Sequence, residues 1–85
     1  MKVKENKKVA KQLKKLQPKV IKKYRQLFSA LKSNGLQVNY DISKLHYTQD
    51  YMRIKLDYSH RVGIYVKNNI IEVCTVCTRE NFDYV

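Results

Sequence analysis

The sequence predicts an α+β fold in which an N-terminal helical hairpin packs on a small antiparallel β-sheet. Two observations predict it. The spacing of apolar residues changes from a helical period to a strand period after Gly35, and short turn signals separate the strand-like runs. The chain has 85 residues, which suits a single domain, 1–85.

A first helix is predicted from Lys7 onward, because apolar residues recur there at spacings of four and three: Val9, Leu13 and Leu16. Pro18 interrupts this stripe, since proline lacks an N–H and restricts the residue before it. The same proline suits the first turn of a second helix. Residues 1–6 are short and polar, and are expected to be a frayed start or a weak edge strand.

The second helix is predicted over 18–33, with one continuous apolar face: Val20, Ile21, Tyr24, Leu27, Phe28 and Leu31. Gly35 ends it, because glycine is free to take the left-handed cap conformation. The link between the helices is short, so they are expected to form an antiparallel hairpin with its lysine-rich outside in water.

Three runs after Gly35 have strand character. Residues 51–58 and 61–67 alternate, and the predicted inward side chains are Met52, Ile54, Leu56, Tyr58, Val62, Ile64 and Val66. Residues 70–77 are apolar on both faces and are predicted to form a central strand. Asn68-Asn69 is a turn signal. The runs should form an antiparallel meander with one face on the second helix and the other free for solvent or a ligand.

Charge is distributed unevenly along the chain. It carries 18 basic and 7 acidic residues, a net charge of +11, and this whole excess lies within residues 1–35. Such a surface suits a polyanion or an acidic partner, although lysines also serve solubility. The hairpin lysines that we take as candidate RNA contacts are Lys11, Lys15, Lys22 and Lys23.

A second group of cations belongs to the sheet half, where charge is balanced. Strand alternation places Arg53, Lys55 and Arg61 on the same, non-core face of two neighbouring strands, and Arg79 follows the third strand. The planar guanidinium fork is suited to phosphate, so the cluster is predicted to bind it. Edge charges that prevent aggregation are the alternative interpretation.

Two aromatic residues follow Arg79. A ring beside a cationic groove can stack on an unpaired base, and Tyr84 is predicted to do so, with Phe82 as a packed ring. Packing of either ring against the sheet edge is the alternative.

Other candidate site residues have simpler interpretations. His60 is expected to pack in the turn before Arg61, with a general-base role as the alternative, and His46 to be a solvated loop residue. Cys74 and Cys77 have metal-ligand spacing, but positions three apart on a strand face opposite ways, so buried structural thiols are expected. We therefore expect no metal and no cofactor.

The cellular location follows from what the sequence lacks. No apolar run is long enough to span a membrane, and no apolar stretch follows the basic start as in a secretory signal. Two cysteines fit a reducing compartment. A cytoplasmic protein without membrane contact is expected.

An ordered set of segments resembles the RelE/ParE toxin superfamily: DISKL (41–45), YMRIKL (51–56), HRVGIY (60–65) and TRE (78–80), followed by Tyr84. The match covers residues 7–85 in order. RelE-type members are ribosome-dependent endoribonucleases that cut messenger RNA and are silenced by an antitoxin, whereas ParE-type members share the fold and poison gyrase. The resemblance implies an mRNA-cleaving toxin (mRNA interferase), a monomer or weak homodimer when free, with the ribosome, mRNA and an acidic antitoxin as partners. The alternatives are a gyrase inhibitor of the same fold and a non-catalytic RNA- or DNA-binding module.

The resemblance also implies roles for the cluster in a metal-free cleavage. Lys55 would assist deprotonation of the 2′-hydroxyl, and Arg53 would hold the phosphate. Arg61 would stabilise the charge that builds on the phosphorane, and Arg79 would assist at the leaving 5′-oxygen. Tyr84 would stack on or align the cut nucleotide.

One acidic residue is predicted near this cluster. Asp57 lies in the loop between the first two strands of the meander, and it could neutralise Lys55 or Arg53.

Overall fold

The computed structural model describes residues 2–45 and 48–82. In chain order its elements are β1 (Lys2–Glu5), α1 (Lys7–Leu13), α2 (Pro18–Asn34), β2 (Asp41–Leu45), β3 (Thr48–Lys55), β4 (His60–Lys67), β5 (Ile70–Thr78) and α3 (Arg79–Phe82). None of the helices in these ranges combines the length and apolar composition that crossing a membrane requires.

The strands form one five-stranded sheet in the order β1-β5-β4-β3-β2. β1 runs parallel to β5, and the other neighbouring pairs are antiparallel. The predicted meander of β3, β4 and β5 is confirmed, with β5 as an interior strand. The polar start is the edge strand β1, one of the two expected outcomes. β2 was not predicted; it is a short edge strand that pairs only with β3.

The helices begin and end close to the predicted positions. α1 starts after Asn6, whose side chain accepts a hydrogen bond from the Lys8 amide at 3.1 Å. α2 starts at Pro18 and ends before Gly35, which has a φ of 63°. That φ is positive, as expected, but a ψ of −134° places Gly35 in a region that essentially only glycine adopts.

The core lies between the helices and one face of the sheet. The buried cluster contains Val20, Tyr24, Leu27 and Leu31 of the predicted helix face, Ile54, Leu56, Val62 and Ile64 of the predicted inward strand face, and Val9, Leu13, Ile71, Val73 and Val76 of α1 and β5. The predicted core is therefore confirmed, and α1 contributes to it with two residues of its apolar stripe.

The helix α1 continues along β5 from the point where β1 stops. β1 pairs with β5 only as far as Val73, so the next residues of β5 lack a strand neighbour on that side. The Gln12 side chain takes its place: it accepts a 2.8 Å hydrogen bond from the Val76 amide and donates a 2.8 Å bond to the Thr75 hydroxyl. These bonds satisfy buried polar groups that would otherwise destabilise the fold.

Candidate functional site

Strand register brings the predicted cations together. Lys55 on β3 lies directly opposite Arg61 on β4, and Arg53 lies opposite Gly63. Opposite residues of an antiparallel pair project from the same face, with Cβ atoms about 5 Å apart. Arg53, Lys55 and Arg61 thus share the sheet face opposite Ile54 and Val62, and we call this set the cationic face.

Arg61 does not lie open to solvent as the sequence analysis expected. Its side chain is only 9% exposed, because it turns back into the β3–β4 loop. There its Nη1 donates hydrogen bonds to the backbone carbonyls of Asp57 (2.6 Å), Tyr58 (3.2 Å) and His60 (3.0 Å). The expectation of an exposed arginine is wrong, because loop carbonyls outside the strand ladder attract the guanidinium.

Asp57 organises the same loop. Its Oδ1 accepts bonds from the Ser59 and His60 amides at 2.9 and 2.8 Å, and lies 3.0 Å from His60 Nδ1. Its Oδ2 lies 3.4 Å from Lys23 Nζ. The expected pairing with Lys55 or Arg53 is therefore wrong, and His60 packs in the turn, as its simpler interpretation held.

These contacts also change the acidity of Asp57. Burial alone raises the pKa of a carboxyl group, but here the hydrogen bonds from His60 and Ser59, the electrostatic interaction with His60 and the Lys23 contact outweigh it. The net result is a pKa below the ordinary value of aspartate. The loop is thus built around a stabilised negative charge.

Arg79 and Tyr58 stack on each other beside this loop. The Arg79 amide donates a 2.8 Å bond to the Ser59 carbonyl, which ties the start of α3 to the loop. The Arg79 guanidinium carbon lies 5.1 Å from the centroid of the Tyr58 ring, a cation–π distance. Tyr58 is 72% exposed, so its predicted place on the core face is wrong. β3 ends at Lys55, and the alternation does not extend to Tyr58.

Phe82 covers the centre of the cationic face. It is 4% exposed, and its ring lies 6.0 Å below the Arg53 guanidinium and 6.4 Å from the ring of Tyr51. A Cβ on Gly63 would lie 3.1 Å from Phe82 Cε2 and 2.6 Å from the Tyr51 hydroxyl, so only glycine fits there. The prediction that Phe82 is a packed ring is confirmed. Tyr84 lies outside the described residues, as does His46.

The candidate lysines of the hairpin lie on its surface. Lys11, Lys15, Lys22 and Lys23 are all exposed. Lys15 and Lys23 face the β3–β4 loop across a groove, whereas Lys11 and Lys22 do not line it. The structure thus divides the four candidates into a pair beside the loop and a pair elsewhere on the helices.

The two cysteines are free and half-buried rather than buried. Burial raises the pKa of both thiols, with the charge of Glu72 adding to the effect at Cys74. A raised pKa disfavours the nucleophilic, metal-binding thiolate. Within residues 2–45 and 48–82, no three His, Cys, Asp or Glu side chains are grouped as a metal site requires.

By sequence alone, no protein-family model and no curated protein matches the chain. By structure it is similar to RelE in the RelB–RelE antitoxin–toxin complex of Methanococcus jannaschii, with a TM-score of 0.80, 27% identity, and coverage of 94% of this chain and 95% of the other. The RelE–RelB complex of Pyrococcus horikoshii OT3 matches with a TM-score of 0.77, 24% identity, and coverage of 92% and 93%. YafQ of Escherichia coli matches with a TM-score of 0.79, 14% identity, and coverage of 94% of each chain.

These matches confirm the resemblance predicted from the ordered segments. The chain has the fold of RelE-type toxins of toxin–antitoxin systems, with helices on a five-stranded, mostly antiparallel sheet. The matches extend over more than nine tenths of the chain.

Proposed function

We propose that this protein is the toxin of a toxin–antitoxin module and acts as an endoribonuclease on messenger RNA in the ribosome. One observation carries the proposal: Lys55 and Arg61 lie directly opposite each other on one sheet face of a chain with the RelE-type toxin fold. Arg53 lies two residues from Lys55 on the same face, and Arg79 begins α3 beside the β3–β4 loop; we assign these four side chains to one phosphate.

The cleavage that we propose is an attack of the RNA 2′-oxygen on the adjacent phosphorus. Lys55, which is exposed, takes the proton of the 2′-hydroxyl in its neutral amine form and becomes an ammonium. The bond from phosphorus to the 5′-oxygen breaks, water protonates the leaving oxygen, and the products are a 2′,3′-cyclic phosphate and a 5′-hydroxyl. Catalysis depends on cations placed where negative charge develops, because no metal is required in this scheme.

The three arginines of the cluster have separate roles in this cleavage. Arg53 holds the phosphate, and its stem is fixed by the Phe82 ring beneath the guanidinium. Arg61 stabilises the phosphorane: its bonds to the loop all involve Nη1, so Nη2 and Nε are not used by them. Arg79 stabilises charge on the leaving oxygen electrostatically, since a guanidinium holds its proton too firmly to donate it.

The partners follow from charge and from the relatives. The two archaeal RelE structures are complexes with the antitoxin RelB. A chain with a net charge of +11 suits an acidic antitoxin when silenced and ribosomal RNA when free. We propose that residues 1–85 act as one cytoplasmic domain that is a monomer or weak homodimer outside its complexes.

The proposal is tested by adding purified protein to a reconstituted translation reaction and mapping the 5′ ends of the mRNA. We expect new ends inside translated codons, and none without ribosomes. Arg25→Ala is the matched control, because Arg25 is the one arginine outside the cluster, and it should cut like the unaltered protein.

Two other results would contradict the proposal. Intact mRNA together with inhibited supercoiling by gyrase would make the protein a ParE-type gyrase inhibitor. Intact mRNA with salt-dependent nucleic-acid binding alone would make it a non-catalytic binding module.

A further inference from the structure

A groove of about 550 Å³ lies beside the β3–β4 loop, away from the cationic face. One wall is the link between α1 and α2 with the first turns of α2, and the other is the loop itself. Three lysines border it, Lys15, Lys19 and Lys23, and apolar atoms of Leu16 and Val20 also line it. The groove is thus cationic at its rim and apolar in part, as the path of a nucleic-acid strand requires.

Tyr58 stands between this groove and Arg79. It lines the groove, and it also stacks on Arg79. Among the side chains of residues 2–44 and 50–82 it is the one large hydrophobic that is exposed, at 72%. Tyrosine joins a stackable ring to a polar hydroxyl, so it tolerates water while free and is suited to be covered by a partner.

The loop that carries Tyr58 is held firmly, so this exposure is not a consequence of a loose segment. The Asp57 carboxylate accepts hydrogen bonds from two backbone amides of the loop. The Arg61 guanidinium donates hydrogen bonds to three backbone carbonyls of the loop, including that of Tyr58. The Ser59 carbonyl accepts a further hydrogen bond from the Arg79 amide. A ring presented on a fixed loop loses little conformational freedom when it binds.

We propose that Tyr58 is a stacking platform for an unpaired base of single-stranded RNA, whose neighbouring phosphates contact Lys15 and Lys19 in the groove. Every base has a π-face, and an aromatic ring with a guanidinium beside it is suited to stack on one. Lys23 contributes less, because it already contacts Asp57 at 3.4 Å. The inference rests on the proposed function in one respect: the strand would pass from the groove over Tyr58 and Arg79 to the cationic face.

Chemistry favours RNA over an acidic peptide as the occupant. A peptide carboxylate pairs with the lysines but does not stack on an exposed aromatic ring. A base covers the ring, and its phosphates match the lysines. Double-stranded RNA is disfavoured as well, because the faces of its bases are already stacked.

The absence of tryptophan from the chain allows a direct test. Tyr58→Trp introduces a single fluorescent reporter at the proposed platform. We expect single-stranded oligoadenylate to quench its fluorescence in a saturable manner, and the duplex with oligouridylate to quench it little. Phe28→Trp is the matched control, because Phe28 also has a cation beside its ring (Lys32 Nζ, 5.9 Å from the centroid) but lines a separate pocket on α2, where we expect no quenching. Equal quenching of both variants, or equal quenching of Tyr58→Trp by polyglutamate, would overturn the inference.

The binding affinity for oligoadenylate provides a second, independent test. Tyr58→Ala should weaken binding of oligoadenylate about 5- to 150-fold, and Tyr58→Phe should bind like the unaltered protein. Lys19→Ala should lower the slope of log affinity against log salt by about 0.7, whereas Tyr58→Ala should leave the slope unchanged. Unchanged affinity for Tyr58→Ala would overturn the inference. Cleavage of mRNA is measured separately, so failure of the platform and failure of the proposed ribonuclease are distinguishable.

Discussion

Arg61 is tied to the loop that precedes it: its Nη1 donates a 2.6 Å hydrogen bond to the backbone carbonyl of Asp57. The same nitrogen reaches the carbonyls of Tyr58 and His60. One side chain therefore has two tasks, to supply positive charge on the cationic face and to hold the loop that carries the other site residues.

Arg61→Ala should consequently lower both activity and stability. We expect RNA cleavage to fall about 30- to 1,000-fold, through loss of transition-state stabilisation. The free energy of unfolding should fall by about 1–3 kcal/mol, because the carbonyl partners lose their donor. Cleavage rates and urea denaturation measure the two effects. The exposed Arg25→Ala should change stability by less than about 0.5 kcal/mol, and similar behaviour of both variants would refute the assigned role of Arg61.

Gly63→Ala tests the packing beneath the cationic face. Its Cβ would lie 2.6 Å from the Tyr51 hydroxyl oxygen and 2.9 Å from Thr75 Cγ2, so these side chains must shift. We expect a loss of about 1–3 kcal/mol in unfolding free energy and a changed near-ultraviolet circular dichroism spectrum. Combining the change with Thr75→Ser, which removes Cγ2 and keeps the hydroxyl that accepts the Gln12 hydrogen bond, should recover part of the loss. Additive losses in the double variant would mean that Thr75 Cγ2 is not an obstacle.

Leu27→Ala tests the assigned core. Leu27 is fully buried at the centre of the α2 apolar face. Its truncation should cost about 2–5 kcal/mol, enough to unfold much of so small a domain. Thermal denaturation measures this, with the exposed neighbour Gln26→Ala as the matched control. An equally stable Leu27→Ala would show that the α2 face is misassigned.

The lowered pKa of Asp57 predicts a dependence of stability on pH. A carboxyl whose pKa is lower in the folded than in the unfolded state stabilises the fold above its ordinary pKa of about 4. That contribution disappears as pH falls through the lower, folded-state pKa. The difference in melting temperature between the unaltered protein and Asp57→Asn should therefore be full near pH 6 and vanish in strong acid. A difference independent of pH would contradict the account, and Asp41→Asn on exposed β2 serves as control.

The helices, the meander and the core were predictable because their apolar periods are long and regular. The run of Val20, Tyr24, Leu27 and Leu31 fits only a helix with one buried face. β2 was not predictable in the same way, since an edge strand of five residues with a single neighbour carries little apolar pattern.

The site was predictable in its sheet face but not in its side-chain conformations. Strand alternation predicts the sheet face from which Arg61 projects. It does not predict that so long a side chain folds back to the loop carbonyls. Tyr58 was assigned to the core by extending the alternation of β3 beyond its end. Asp57 and Ser59 were the signal that could have corrected this, because both residue types favour turns.

The central claim is that the cationic face cleaves RNA with Lys55 as the base, and single-turnover cleavage of ribosome-bound mRNA by Lys55 variants tests it most directly. Lys55→Arg keeps the positive charge, but a guanidinium does not give up its proton in proteins. If Lys55 is the base, Lys55→Arg should lose about as much activity as Lys55→Ala, roughly 100- to 10,000-fold, with fold stability unchanged in both. Near-normal cleavage by Lys55→Arg would contradict a base role, and near-normal cleavage by both variants would contradict the assignment of this face as the active site.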